Sequence, residues 1–199
     1  MLRIFAKEML RLANSNGENE EGERDERRRK KEGEEEENEK LIVLVRRTGR
    51  RRFHNEAELE QVLHHGLLSL SPPPHRLTFL SVDFSTLSFR EQMIVSSKAR
   101  VMIGMHGAGL TNAIYMNPPQ AALVEIFPFN YSRNTYEALS KLSNISYIPI
   151  KIAKDKSIPH KTCRNQFADR RNACFRDQDT IVDPVEVLLA IEQAINQHV

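Results

Sequence analysis

Apolar residues along the chain gather into five short blocks, separated by stretches whose apolar positions recur at helical spacing. Leu41 to Val45 (LIVLV) is uniformly apolar and branched, as required of a parallel strand covered on both faces. LTFLSV (77–82), RVMIG (100–104), AALVEIF (121–127) and ISYIPIKI (145–152) supply four further strand-like runs. Between them, Asn55 precedes EAELEQVLHH as a helix cap, and Ser88 with Glu91 three residues on forms a capping box opening FREQMIVSSKA. GLTNAIYM reads as a short helix and RNTYEALSKLS as a longer one. Past a long polar loop from Ala153 to Val182, Asp183 followed by Pro184 starts the last helix. Five strands alternating with five helices predict an α/β fold, a doubly wound Rossmann-like parallel sheet over 41–199. No repeat of fixed period occurs.

Upstream of the first strand the pattern changes. Ile4, Phe5, Met9, Leu10 and Leu12 place an apolar stripe on a helix over 1–13, expected to pack on the lobe. Residues 14–40 then read as a charged, disordered insertion. Glu18 to Lys40 holds 12 acidic and 7 basic residues and no apolar one, so it has nothing to bury against its ordering entropy.

Charge and composition sharpen the picture. The formal net charge of the 199 residues is +2, yet outside that tract 22 basic residues face 15 acidic ones, so the folding part is basic. No apolar run approaches the roughly 20 residues of a membrane-spanning helix, and no secretory leader is visible, so a membrane anchor is expected only if one lies upstream. RRRKK (27–31) is flanked by acids that cancel its field, which argues against nucleic acid. Cys163 and Cys174 are too few for a disulfide scaffold or a four-ligand zinc site. The histidines show no ligand spacing, so no metal is expected. Asn130-Tyr131-Ser132 and Asn144-Ile145-Ser146 are N-glycosylation acceptors that matter only in a lumenal protein.

Ligands of open α/β sheets bind beyond the carboxyl ends of the strands, which directs attention to two loops. GMHGAGLTN places Gly104, Gly107 and Gly109 between an apolar strand and a helix start, where close backbone approach and exposed N–H groups favour an anion; a tight turn explains the glycines equally well. VRRTGRRRFHNE packs Arg46, Arg47, Arg50, Arg51 and Arg52 around Gly49. Arginine forks suit phosphate, and a solvated basic turn is the plainer alternative. Glu125, deep in the fourth strand, needs a hydrogen-bonding partner, either a ligand hydroxyl or a neighbouring protein group.

LIVLVRRTGRRRFHNEAEL and SVDFSTLSFREQMIVSSKARVMIGMHGAGLTNAIYMNPPQAALVEIFP together resemble the family 61 glycosyltransferases. The paired arginines fall on Arg47 and Arg51, the HGAGL core on His106, Gly107, Ala108, Gly109 and Leu110, the following Asn on Asn112, and the strand glutamate on Glu125. The resemblance implies the C-terminal, nucleotide-sugar-binding lobe of a two-lobed GT-B enzyme, roughly half of such a catalytic unit. It implies inverting transfer of N-acetylglucosamine or a pentose from a UDP-sugar to a protein or glycan hydroxyl, with no cofactor required. Arg47 and Arg51 would neutralise the diphosphate more than their neighbours, with Arg52 left solvated; N–H groups of Gly107 to Leu110 would cradle it; Glu125 would orient sugar or ribose hydroxyls. No residue of the chain is assigned as general base. The implied compartment is the endoplasmic reticulum or Golgi lumen, where Cys163 and Cys174 can pair. A truncated, non-catalytic nucleotide-sugar-binding module is the alternative, whereas an α/β-hydrolase is excluded because no G-x-S-x-G elbow occurs.

Overall fold

A computed structural model describes residues 39–70, 76–159 and 171–197. The expected helix over 1–13, the charged tract up to residue 38 and Cys163 lie outside the described residues.

Five strands form one sheet: β1 (Glu39–Val45), β2 (Arg76–Val82), β3 (Ala99–Met105), β4 (Ala122–Phe127) and β5 (Ser146–Lys151). They run in the order β2-β1-β3-β4-β5, every neighbouring pair parallel. β1 begins earlier than its apolar run, because Glu39 and Lys40, assigned by composition to the charged tract, pair with Arg76 and Leu77.

Alternation along the strands divides the core in two. Ile42, Leu44, Val101, Ile103 and Val124 face one side, where α1 (Glu56–Leu70) and α5 (Pro184–Asn196) cover them with Leu59, Leu63, Val187 and Ile191. Leu41, Val43, Met102 and Leu123 face the other, beneath α2 (Phe89–Lys98) and α3 (Thr135–Leu142). All of LIVLV is buried, which is why that run carries no polar alternation.

Local signals fix most helix starts. Ser88 Oγ accepts from Glu91 N and Glu91 Oε2 accepts from Ser88 N, completing the box. Asp183 accepts from Val185 N ahead of Pro184. Asn55 differs: its Oδ1 accepts from Val182 N and its Nδ2 donates to Val182 O, so the side chain ties α1 to the final loop and does not cap the helix. Ala108–Tyr115, expected to be a short helix, is a 3-10 helix. Gly109, Thr111 and Asn112 are weak α-formers, and Asn112 Nδ2 donates back to Gly109 O, supporting the tighter turn.

The described parts of the stretch 153–182 also hold regular structure within the expected polar loop. They comprise a turn at Lys154–Lys156, β6 (Ser157–Ile158), α4 (Arg171–Arg176) and β7 (Asp179–Thr180), with β6 and β7 antiparallel.

Candidate functional site

Strand order reverses between β1 and β3, since the chain steps from β1 outward to β2 and then returns to β1's other side as β3. Loops leaving two such strands diverge and open a crevice. A cleft of about 370 Å³ lies there, lined by Arg46, Arg47 and Thr48 after β1, Asp83 after β2, and Ala108, Gly109 and Asn112 after β3. The two loops singled out in the sequence therefore face each other.

Gly107 is where they meet. A Cβ at this position would land on Arg47 Nη1 and would stand 3.1 Å from Arg51 Nη1, so the missing side chain is the space both guanidiniums use. Arg51 Nη1 donates to His106 O at 2.7 Å. Its backbone is left-handed, with φ 59°, a conformation costing a β-carbon residue on the order of 1 kcal/mol. The next residues hold it: Arg52 N donates to Asp179 Oδ1, and Thr180 N donates to Arg52 O. Burial pushes the Arg51 guanidinium pKa down, the charge of Arg47 adds to this, and Asp177 pulls the other way.

The five arginines of the loop have different fates. Arg46 pairs with Glu56 at 3.0 Å and Arg50 with Asp177 at 2.8 Å. Arg52, expected to be solvated, instead grips Asp179 through Nε at 3.1 Å and Nη2 at 2.8 Å, so it anchors the loop to β7. Arg47 donates from Nε to Arg50 O and has no acidic partner among the described residues. Asp177 takes most of the remaining charge: hydrogen bonds from Arg176, then from Arg50, overcome its burial and hold its pKa at about 2.

At the 3-10 helix, Ala108 is exposed and Gly109 half-buried, and the first N–H groups of such a helix have no partner within it. Leu110 is different. Its N–H donates to Gly107 O at 2.9 Å and its side chain is fully buried against Gly104, so it belongs to the core. Asn112 is buried and donates to Gln92 Oε1 and Gly109 O, bracing the helix.

Glu125 is 0% exposed, with both carboxylate oxygens engaged. His106 Nδ1 lies 2.5 Å from Oε1, and Tyr147 donates its hydroxyl to Oε2 at 2.6 Å. Burial first, and then this bond to the carboxylate, raise the Tyr147 pKa. Of the two kinds of partner left open by the sequence, the structure gives Glu125 the internal one, His106 and Tyr147. That imidazole stacks on Phe127, meets the edges of Tyr131 and Tyr136, and keeps Nε2 3.4 Å from the Tyr131 hydroxyl.

Asp177, Asp179, Arg176, Tyr131 and Tyr147 escaped the sequence reading. Arg50 and Arg52 stand 127 residues from their aspartates, and the local signal was only a polar run, Asp177-Gln178-Asp179, that the fold buries.

A family of known proteins matches the chain across both loops. The sequence profile described as Glycosyltransferase 61 matches residues 3–123. The EGF domain-specific O-linked N-acetylglucosamine transferase of Xenopus laevis is 31% identical over 106 residues, 53% of this chain and 19% of the relative. The protein O-linked-mannose beta-1,4-N-acetylglucosaminyltransferase 2 of Takifugu rubripes is 26% identical over 157 residues, 74% of this chain and 24% of the relative. The beta-1,2-xylosyltransferase of Arabidopsis thaliana is 27% identical over 110 residues, 54% and 20% respectively. The chain thus spans about a fifth of the length of the curated relatives it matches. With the profile covering more than half of the chain, including both loops that line the cleft, the protein belongs to the glycosyltransferase 61 family.

Proposed function

We propose that this chain is the nucleotide-sugar-binding lobe of a GT-B glycosyltransferase that moves N-acetylglucosamine or a pentose from its UDP form to a hydroxyl of a protein or glycan. The relatives' names include an N-acetylglucosamine transferase and a xylosyltransferase, which supports that choice of sugar. One observation carries the reading: Arg47 and Arg51 converge on the side-chain-free face of Gly107, at the head of a helix and at the sheet's switch point. Guanidiniums, helix N–H groups and a crevice of this position suit a diphosphate.

In the reaction, an acceptor oxygen attacks the anomeric carbon as the bond from that carbon to the diphosphate oxygen breaks, and the electron pair leaves on the diphosphate. Arg47 and Arg51 neutralise that growing charge, the role a metal ion fills in other transferases, so no metal is required. The acceptor's proton goes to a base that we do not assign to this chain. Glu125 fixes the His106 ring, and His106 O in turn receives Arg51. In this reading the lobe begins with β1 at Glu39, two residues before the boundary set by the apolar run. Cys174 is disulfide-bonded, which supports residence in the endoplasmic reticulum or Golgi lumen. No helix among the described residues is long and apolar enough to cross a membrane.

Titration calorimetry with UDP in EDTA tests the proposal. Losing a charge-assisted phosphate contact costs about 1.5–3 kcal/mol, so Arg47→Ala and Arg51→Ala are each expected to weaken binding at least tenfold. Arg47→Ala should leave the melting temperature unchanged, because Arg47 holds no carboxylate. Arg52→Ala should do the reverse, lowering thermal stability through loss of its grip on Asp179. Equal affinity losses in all three variants would reduce the loop to a diffuse basic patch. If EDTA abolished UDP binding by the unaltered chain, a metal-dependent site would replace this one.

A further inference from the structure

Asp177 follows α4, outside the residues matched by the family profile. Its side chain is 5% exposed and faces three guanidiniums. Arg176 Nε and Nη2 donate to Oδ1 and Oδ2 at 2.7 and 2.9 Å, Arg50 Nη1 donates to Oδ2 at 2.8 Å, and Arg51 Nε stands 3.8 Å from Oδ1. Three guanidiniums share one carboxylate, and Arg47, beside Arg51 over Gly107, adds a fourth positive charge with no carboxylate of its own among the described residues. Arg51 Nε is buried and has no hydrogen-bond acceptor, a costly state for a charged donor. Arg47 and Arg176 both press on it with like charge. An imbalance of this kind is relieved by a bound anion.

Arg176 is placed to meet that anion. Its two bonds to Asp177 occupy two of the five N–H donors of a guanidinium, and among the described residues no other acceptor takes the rest. The side chain is 42% exposed. It lies within electrostatic reach of Arg51 and of Tyr131, whose ring packs on His106. Arg176 therefore approaches Arg51 from α4, while Arg47 approaches it from the β1 loop.

We infer that Arg176 is a third anion-contacting arginine of the site, beside Arg47 and Arg51, and that Asp177 is the positioning residue that presents Arg51 and Arg176 together to a diphosphate. The inference rests on the diphosphate reading and extends it to a segment beyond the residues that the family profile matches. A diphosphate spreads its charge over two phosphates, which separate guanidiniums can take individually.

The test is calorimetric titration of the full chain with inorganic pyrophosphate and with UDP, each between about 50 and about 300 mM NaCl. Arg176→Ala should weaken both ligands about tenfold, and its affinity should fall less with salt than that of the unaltered chain. Arg176→Gln retains an amide donor toward Asp177 but no charge, and should lose the same affinity while melting cooperatively. Asp177→Glu keeps the charge but moves it by one methylene, and should also weaken pyrophosphate. A role confined to stability would lower melting temperatures and leave affinity and salt dependence untouched. Unaltered pyrophosphate binding in both Arg176 variants, alongside weakened binding in Arg47→Ala, would overturn the assignment and leave the diphosphate site standing; unaltered binding in Asp177→Glu would overturn the positioning role. Failure of the unaltered chain to bind either ligand would overturn both readings.

Discussion

A guanidinium is defined by its acceptor, and here the acceptors are not sequence neighbours. Arg46, Arg47, Arg50, Arg51 and Arg52 look interchangeable along the chain, yet Glu56, Asp177 and Asp179 claim three of them and leave Arg47 uncommitted. The family motif had picked out Arg47 and Arg51, but composition could not show that Arg52 is an anchor, since Asp179 reaches it only through the fold. Glu125 was legible as a buried carboxylate needing partners, whereas the identity of those partners depended on the register that sets Gly104 and Pro149 beside it. The same logic gives Asp177 a pH signature. Its folded pKa, about 2, lies below the ordinary 3.8 because Arg176 and Arg50 donate to the charged form. A depressed carboxylate stabilises the fold fully above its unfolded pKa and ceases to do so as pH falls through its folded one. For this buried group the contribution is about 2 kcal/mol. Urea titrations of the unaltered chain and Asp177→Asn should therefore differ by about that much near neutral pH and converge as the pH falls from about 4 to about 2. A gap that stayed constant through that window would mean that shape, and not charge, is what Asp177 contributes.

Elements were more legible than residues, because their signals are local. The strands follow the apolar runs, with β1, β3 and β4 buried on both faces of the sheet and the edge strand β5 alternating buried and exposed, and the caps at Ser88 and Asp183 form bonds their sequences allow. Where two local rules compete, the sequence misleads. GLTNAIYM has helical apolar spacing, but Asn112 bonding to Gly109 O tightens it to a 3-10 turn. β6 and β7, two residues each, are too short for any period to mark them and exist through pairing with each other. Packing of the 3-10 helix on the sheet depends on Gly104 at the end of β3. A Cβ there would come within 2.9 Å of Leu110 Cδ2 and 3.1 Å of Val45 Cβ, closer than carbon atoms pack. Val45 is fixed in the sheet, so Leu110 would have to move and take the start of the 3-10 helix with it. Gly104→Ala should cost about 1–3 kcal/mol in urea unfolding and weaken UDP binding, although residue 104 itself contacts no ligand in the proposed site. Unchanged affinity in a destabilised variant would show that the helix head holds its place without Leu110.

For the molecule as a whole, the cleft and its supports draw on segments of unlike origin. The β1 loop and the head of the 3-10 helix, which line it, fall inside the family match, while Asp177 and Asp179, which hold the arginines of the β1 loop, and Arg176 beside them come from the chain beyond it. That outer segment is tied to the β1 loop and braced within itself. Asp179 and Thr180 bond to Arg52 and His54, and Cys174, in α4, is disulfide-bonded in a chain whose single other cysteine is Cys163. Closing so small a ring stabilises a fold by roughly 3 kcal/mol in the chain-entropy account. Cys174 precedes Arg176 by two positions, so loosening α4 loosens the guanidinium that α4 presents. Reduction with dithiothreitol should lower the melting temperature by several degrees, as expected for a loss of that size, and weaken pyrophosphate binding in the unaltered chain. In Arg176→Ala, where that contact is already gone, the same reduction should change affinity little. Intact mass after alkylation under non-reducing, denaturing conditions supplies the control, and two alkylated thiols would remove the disulfide from the argument. Should reduction instead weaken the unaltered chain and Arg176→Ala equally, the bond would act on the fold at large, and the anchoring of the cleft would fall to the Arg52 and Asp179 pair alone.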